Sequence, residues 1–160
     1  MTHFRLTDQD YRLWWLILLV RRAMYKAESK ELFQYGLTHV EASVLFIIQA
    51  IGYKATPAEI SRWILRESHS VSGLLDRMEK EGLVRKVKDL DRKNLIRVEL
   101  TEKGCEAYNF TVGRHTIHQI MSALSQKERQ QLEKCLQKLF DEALKELGWN
   151  REHPFSFPHE

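Results

Sequence analysis

Cysteine and proline are scarce here, two and three in 160 residues, and no apolar run is long enough to cross a bilayer. Cys105 and Cys135 form no CxxC pair and follow no secretory segment, which excludes a disulfide framework and makes a reducing cytoplasm the expected location. The longest apolar run, Leu13–Val20, falls far short of the ~20 residues that a spanning helix needs, so no membrane partner is expected. Glycine-rich phosphate loops, legible nucleophile–base pairs and specific metal boxes are also missing, which speaks against an enzyme and against any cofactor. So few prolines, together with 29% charged residues, point to a mostly helical chain. No repeat and no long linker divides it, so residues 1–160 are expected to form one domain.

What is present is concentrated between Thr56 and Gly104. Thr56, Pro57 and Glu59 supply an N-cap hydroxyl, a first-turn proline and a carboxylate three residues on, a capping box that opens one helix. A second helix begins at Ser68, with Val71, Leu74, Leu75 and Met78 recurring at i, i+3, i+4, i+7 on one face. His69, Ser72, Gly73, Asp76 and Lys80 fall on the opposite side, with Ser70 and Arg77 flanking. That face is small and polar near its N-terminus, where a recognition helix meets base edges and phosphates. Gly82 closes the helix as a left-handed cap. Leu83–Lys88 and Leu95–Leu100 then alternate apolar and charged residues as half-buried strands do, around a polar tip carrying Arg92 and Lys93. Helix, turn, helix and basic hairpin make a winged helix-turn-helix. From 60 to 97, ten Lys/Arg stand against six Asp/Glu, a local +4 that exceeds the chain's +3. Phosphate contacts require such cations, so double-stranded DNA is the expected partner.

Three motifs follow one another at suitable spacing: Leu75-Asp76-Arg77-Met78-Glu79-Lys80-Glu81-Gly82-Leu83-Val84, then Asp91-Arg92-Lys93, then Leu100-Thr101-Glu102-Lys103-Gly104. Together they resemble the recognition helix and wing of the multiple antibiotic resistance regulator (MarR) family. The resemblance implies a homodimer interlaced through its first and last helices. It further implies sequence-specific regulation of transcription, most often repression, on a pseudo-palindromic operator. A pocket for a small aromatic or amphipathic effector, between the dimer helices and the winged core, is also implied; Trp14, Trp15, His115 and His118 are its candidates. Expected DNA contacts are Ser68, His69, Ser70, Ser72, Gly73 and Arg77 from the helix, with Arg92 and Lys93 from the wing. Counted back from Leu100, the wing is one residue longer than the family's commonest form, so either Arg92 or Lys93 takes the role of its minor-groove arginine.

The flanks complete the expected fold. A first helix runs from near Thr7, with Asp10 as box carboxylate, to about Tyr35, and Gly36 ends it. Its Leu13–Val20 segment is apolar around the whole circumference, and a second copy of the chain is the natural cover. Thr38 and Glu41 open a helix that buries Val40, Val44, Leu45 and Ile48 and stops at Gly52. After the wing, one helix is expected from Thr101 to roughly Ala123. Another, opened by Ser125 and Glu128, carries Leu132, Leu136, Leu139, Phe140 and Leu147 to Gly148. The fold class is therefore mostly α with a small β-hairpin wing: a winged helix-turn-helix core at 37–104, dimerisation helices at 7–35 and 101–148, and a tail at 149–160.

Several residues admit plainer readings. Asp76 would be repelled by phosphate and is expected to pair with Arg77 or a wing arginine, while Arg62 and Arg66 are either phosphate contacts or a solvated face. His39, Glu41, His115 and His118 have donor types that suit zinc, but an i, i+3 histidine pair arises easily by chance. Packing or pocket lining is the plainer role, and no metal is expected. Trp14, Trp15, Tyr25, Phe33 and Phe46 are expected mainly in the core, and Cys105 and Cys135 as buried, inert thiols. The alternatives are a winged-helix module for protein contacts without DNA, or a metal- or redox-sensing regulator of the same fold.

Overall fold

The computed structural model describes residues 8–89, 92 and 94–149; Thr7, Asp91, Lys93 and residues 150–160 lie outside them. Local caps set most helix boundaries. Helix α1, Gln9–Gln34, opens on Asp8, whose carboxylate accepts from Asp10 N and Tyr11 N. Asp8 is thus the capping residue, in place of the expected Thr7 and Asp10 pair. Helix α2, His39–Ile51, begins in the full capping box expected: Thr38 Oγ1 accepts from Glu41 N, and Glu41 Oε2 accepts from Thr38 N at 2.8 Å. A 3-10 turn, Gly52–Lys54, leads to α3, Pro57–Trp63. Thr56 caps α3, while Glu59 places its carboxylate on Arg62 at 2.7 Å.

Helix α4, Ser68–Lys80, ends with Gly82 at φ 75°. Gly82 N donates to Glu79 O and Leu83 N to Met78 O, so the last carbonyls are satisfied by a left-handed reversal that glycine adopts freely. Strands β1, Val84–Lys88, and β2, Ile96–Leu100, pair antiparallel with Val84 opposite Leu100 and Lys88 opposite Ile96. Each is one residue shorter at its start than the alternation suggests. Helices α5, Glu102–Val112, α6, His115–Met121, and α7, Gln126–Glu146, complete the described chain, which is mostly α with a two-stranded hairpin.

The single helix expected from Thr101 to about Ala123 is in fact two. Glu31 of α1 accepts from His115 N at 2.9 Å and Thr116 N at 3.2 Å, so the first donors of α6 face a carboxylate instead of the preceding turn. Hydrogen bonding from Thr116 holds the Glu31 carboxyl below the usual carboxylate range. Arg114, buried between the two helices, donates from Nε to Thr111 O at 2.8 Å.

The core sits inside the winged unit. Val44, Leu45, Ile60, Val71, Leu75, Met78, Val84 and Val98 are buried together from α2, α3, α4 and the hairpin. Full burial of each such side chain is worth about 1.5–3 kcal/mol. Val40 is only half-buried; Ala42 and Ile47 complete the buried face of α2. Outside this core most apolar residues of α1 have no cover; Leu32, near its C-terminal end, is the buried exception and Met24 is half-buried. Every residue of Leu13–Val20 is exposed, and so are Tyr25, Phe33 and Phe46, contrary to a core placement. The reason is reach: α1 meets α2 and α6 through residues near its C-terminal end, including Glu28, Ser29, Glu31 and Leu32. Cys105 and Cys135 are likewise exposed, on α5 and α7. Among the described residues, no single helix is long and apolar enough to cross a membrane.

Candidate nucleic-acid interface

The turn between α3 and α4 is built from serines. Buried Ser61 donates from Oγ to Arg66 O at 2.6 Å, and its oxygen lies 3.3 Å from Ser68 Oγ. Ser68, expected at the DNA, therefore also ties the recognition helix to its predecessor. Leu65 turns the chain at φ 55°, with Leu65 N donating to Arg62 O and Arg66 N to Ser61 O.

Beyond this turn, α4 buries Val71, Leu75 and Met78, half-buries Leu74, and exposes His69, Ser70, Ser72, Gly73, Asp76, Arg77 and Lys80. The exposed set is the one the periodicity assigns to the outer face. Ser72 Oγ donates back to Ser68 O at 3.1 Å, which leaves its oxygen as an acceptor. Asp76 pairs with Lys86 of β1, a strand lysine, and neither Arg77 nor a wing arginine takes it. The Lys86 hydrogen bond and charge hold the Asp76 carboxyl below its usual range. Glu79 Oε1 accepts from Lys86 N at 2.8 Å, so helix and wing are joined at two adjacent points.

Arg77 has a partner that the sequence reading does not name. Its Nε and Nη2 donate to Glu41 Oε1 at 3.2 and 2.9 Å, and the Glu41 side chain is only 4% exposed. The guanidinium assigned to phosphate thus has an internal partner on α2.

On the wing, Asp89 is buried, accepts from Arg92 N at 2.9 Å and pairs with Arg97, whose guanidinium lies 5.9 Å from the Tyr53 ring centre. Arg85 pairs with Glu99 across the strands at 2.7 Å. The Arg92 side chain is exposed; Lys93 lies outside the described residues. Of the described cations from 60 to 97, Arg62, Arg77, Arg85, Lys86 and Arg97 have carboxylate partners. Arg66, Lys80, Lys88 and Arg92 have no carboxylate in ion-pair contact among the described residues, and Lys80 acts on Asp76 only at longer range. Arg66 and Lys80 flank α4 at its two ends, and Lys88 and Arg92 lie on the wing. Pairing of this kind has no sequence signal, because most of the partners are remote in the chain.

A cleft of about 600 Å³ opens on the other side of α2, lined by Phe46, Ile47, Trp63, Ile64, Leu65, Val112 and Ile117 and by the polar Glu28, His39, Ser43, Thr111 and Arg114. It lies between the long helices and the winged core, where the sequence reading places an effector, yet Trp14, Trp15, His115 and His118 are not among its walls. Trp14 and Trp15 stand on the uncovered part of α1, and the break at Gly113 moves the histidines onto α6. His39 stacks on Tyr25, lies 3.0 Å from Ser29 Oγ through Nε2 and 3.5 Å from Glu28 through Nδ1. Burial lowers its pKa against the pull of Glu28. Glu41 faces away from it, and no group of three or more His, Cys, Asp or Glu among the described residues is placed to hold a metal.

Comparison with known proteins gives concordant matches. Residues 35–94 match the sequence pattern described as MarR family. The HTH-type transcriptional regulator MhqR of Bacillus subtilis is 28% identical over 148 residues, which span 91% of this chain and 95% of that protein. The HTH-type transcriptional regulator PecS of Dickeya dadantii is 27% identical over 123 residues, 74% and 72% of the two chains. Among solved structures, the organohalide-sensing RdhR transcriptional regulator in its 2,4-dichlorophenol-bound form superposes with a TM-score of 0.77 at 29% identity, covering 100% of this chain and 95% of that one.

Proposed function

The chain belongs to the MarR family of DNA-binding transcriptional regulators, and from that premise we propose that it is a cytoplasmic homodimeric repressor acting on a pseudo-palindromic operator and released by a small effector. The observation that carries this reading is the division of charge: α4 presents small polar side chains, while Arg66, Lys80, Lys88 and Arg92 keep cations with no described carboxylate in ion-pair contact at its ends and on the wing. Small groups at the groove floor and cations at the backbone are what base reading and phosphate neutralisation respectively need. The uncovered ring of α1 supports a two-fold partner, and a two-fold protein reads two half-sites about 10 bp apart.

The effector site is the cleft beside α2. Its apolar walls, with Phe46 and Trp63, suit an aromatic or amphipathic molecule, and Arg114 and His39 offer polar contacts. Occupancy there would act on α2 and on the α3–α4 turn, and so on the spacing of the two recognition helices.

Titrations on operator and scrambled duplexes at several salt concentrations test the DNA reading. Arg92→Ala should weaken both duplexes alike and lower the salt slope by about 1 per site lost, as should Lys93→Ala. Ser70→Ala should instead reduce discrimination by about 1–3 kcal/mol at constant slope. A parental slope in the Arg92 and Lys93 variants, with loss of slope in the serine variant, would overturn this placement.

A further inference from the structure

We infer that Glu41 and Arg77 form a positioning pair that sets the orientation of the recognition helix on α2, and that Arg77 acts on operator choice through this pair and not as a phosphate ligand. The inference deepens the DNA-binding reading and rests on it. Each oxygen of one nearly buried carboxylate is engaged. Glu41 Oε2 receives Thr38 N at 2.8 Å and Thr38 Oγ1 at 2.9 Å, which fixes the carboxylate to the first turn of α2. Glu41 Oε1 receives Arg77 Nε at 3.2 Å and Nη2 at 2.9 Å. Two donors of a planar guanidinium on one oxygen restrict both distance and direction, which a lysine's single ammonium would not.

Position along α4 points the same way. Arg77 lies in the last turn of α4, four to eight residues beyond His69, Ser70, Ser72 and Gly73, or roughly 6–12 Å along the axis. It is therefore well placed to fix the helix's rotation and tilt from the end remote from the bases. A buried carboxylate gains much from this partner, because without it Oε1 would lie in the protein interior with its charge uncompensated. Glu81, exposed at the end of α4 and 4.0 Å from Arg77 Nε, is the only other described carboxylate in ion-pair range of the guanidinium. Phosphate would have to compete with both carboxylates. The turns of α2 that carry Glu41 also line the cleft through His39, Ala42 and Ser43, so the pair joins the cleft wall to the recognition helix.

The test uses the full chain with Arg77→Gln, Glu41→Gln and the double variant, on selected operator and scrambled duplexes across a salt series. A positioning pair predicts that Arg77→Gln lowers operator affinity about tenfold, leaves scrambled-duplex affinity and salt slope at parental values, and is matched by Glu41→Gln. The double variant should be no worse than the weaker single one. Arg77→Gln alone decides the matter should Glu41→Gln fail to fold, since Arg77 is on the surface: equal weakening on both duplexes, with a slope reduced by about 1 per half-site, makes it a phosphate ligand and overturns the inference. Amide exchange in the DNA-free protein separates this from failure of the DNA reading. Faster exchange along α4 in both single variants supports the pair even if the parent shows no operator preference, and unchanged exchange in Arg77→Gln counts against it.

Discussion

Leu65 holds φ at 55°, where glycine is the usual occupant, and a bulky residue there costs roughly 1–2 kcal/mol. The strain is located where α3 must stop and α4 must begin, and the same side chain forms part of the cleft wall. His39 is a second residue whose role depends on its surroundings. Burial lowers its pKa below the ordinary 6.5, with Arg114 acting in the same direction and Glu28 opposing both. A histidine with a depressed folded pKa favours the neutral form, so its contribution is present above pH ~6.5 and is lost as pH falls through the folded value. Urea unfolding at pH 7.5 and pH 5.5 should therefore show the parent losing more stability than His39→Gln on acidification. Equal losses would remove His39 as the source.

At the scale of elements, close approaches matter more than propensity. Gly104 lies on α5 where the helix crosses the start of β1, and a Cβ there would overlap the backbone carbonyl oxygen of Leu83. Thr101 reinforces the crossing: its hydroxyl donates to Gly82 O and its N to Leu83 O, while its oxygen caps α5 through Gly104 N at 3.0 Å. Backbone cannot yield as a flexible side chain does, so Gly104→Ala should destabilise by about 1–3 kcal/mol or more, measured as a fall in urea midpoint at unchanged m-value. The helix break at Gly113–Arg114 has a similar origin, since the Glu31 carboxylate from α1 supplies acceptors at the new N-terminus.

For the whole molecule, cover of the apolar helix faces decides the assembly. Leu13 to Val20 are each at least 37% exposed, and Leu132, Leu136 and Leu139 of α7 are exposed as well. A second copy that buries these faces should give a sedimentation mass of about twice the chain's 19.0 kDa at micromolar concentration, and Leu16→Glu should return it to the monomer value with the winged core still folded. A single 19.0 kDa species for the parent would end the dimer proposal.

What the sequence by itself determined was local. The caps at Thr38, Thr56 and Ser125, the buried face of α4, the glycine reversal at Gly82 and the hairpin all depend on residues within a few positions of one another, so periodicity and capping chemistry reveal them. Only the tertiary structure decided the rest. It gave Arg77 to Glu41 across 36 positions, broke the helix after Val112 with a carboxylate from α1, and chose Phe46 and Trp63 over Trp14 and Trp15 for the cleft. Those outcomes depend on which distant groups packing brings within hydrogen-bond range, and spacing along a chain carries no record of that distance.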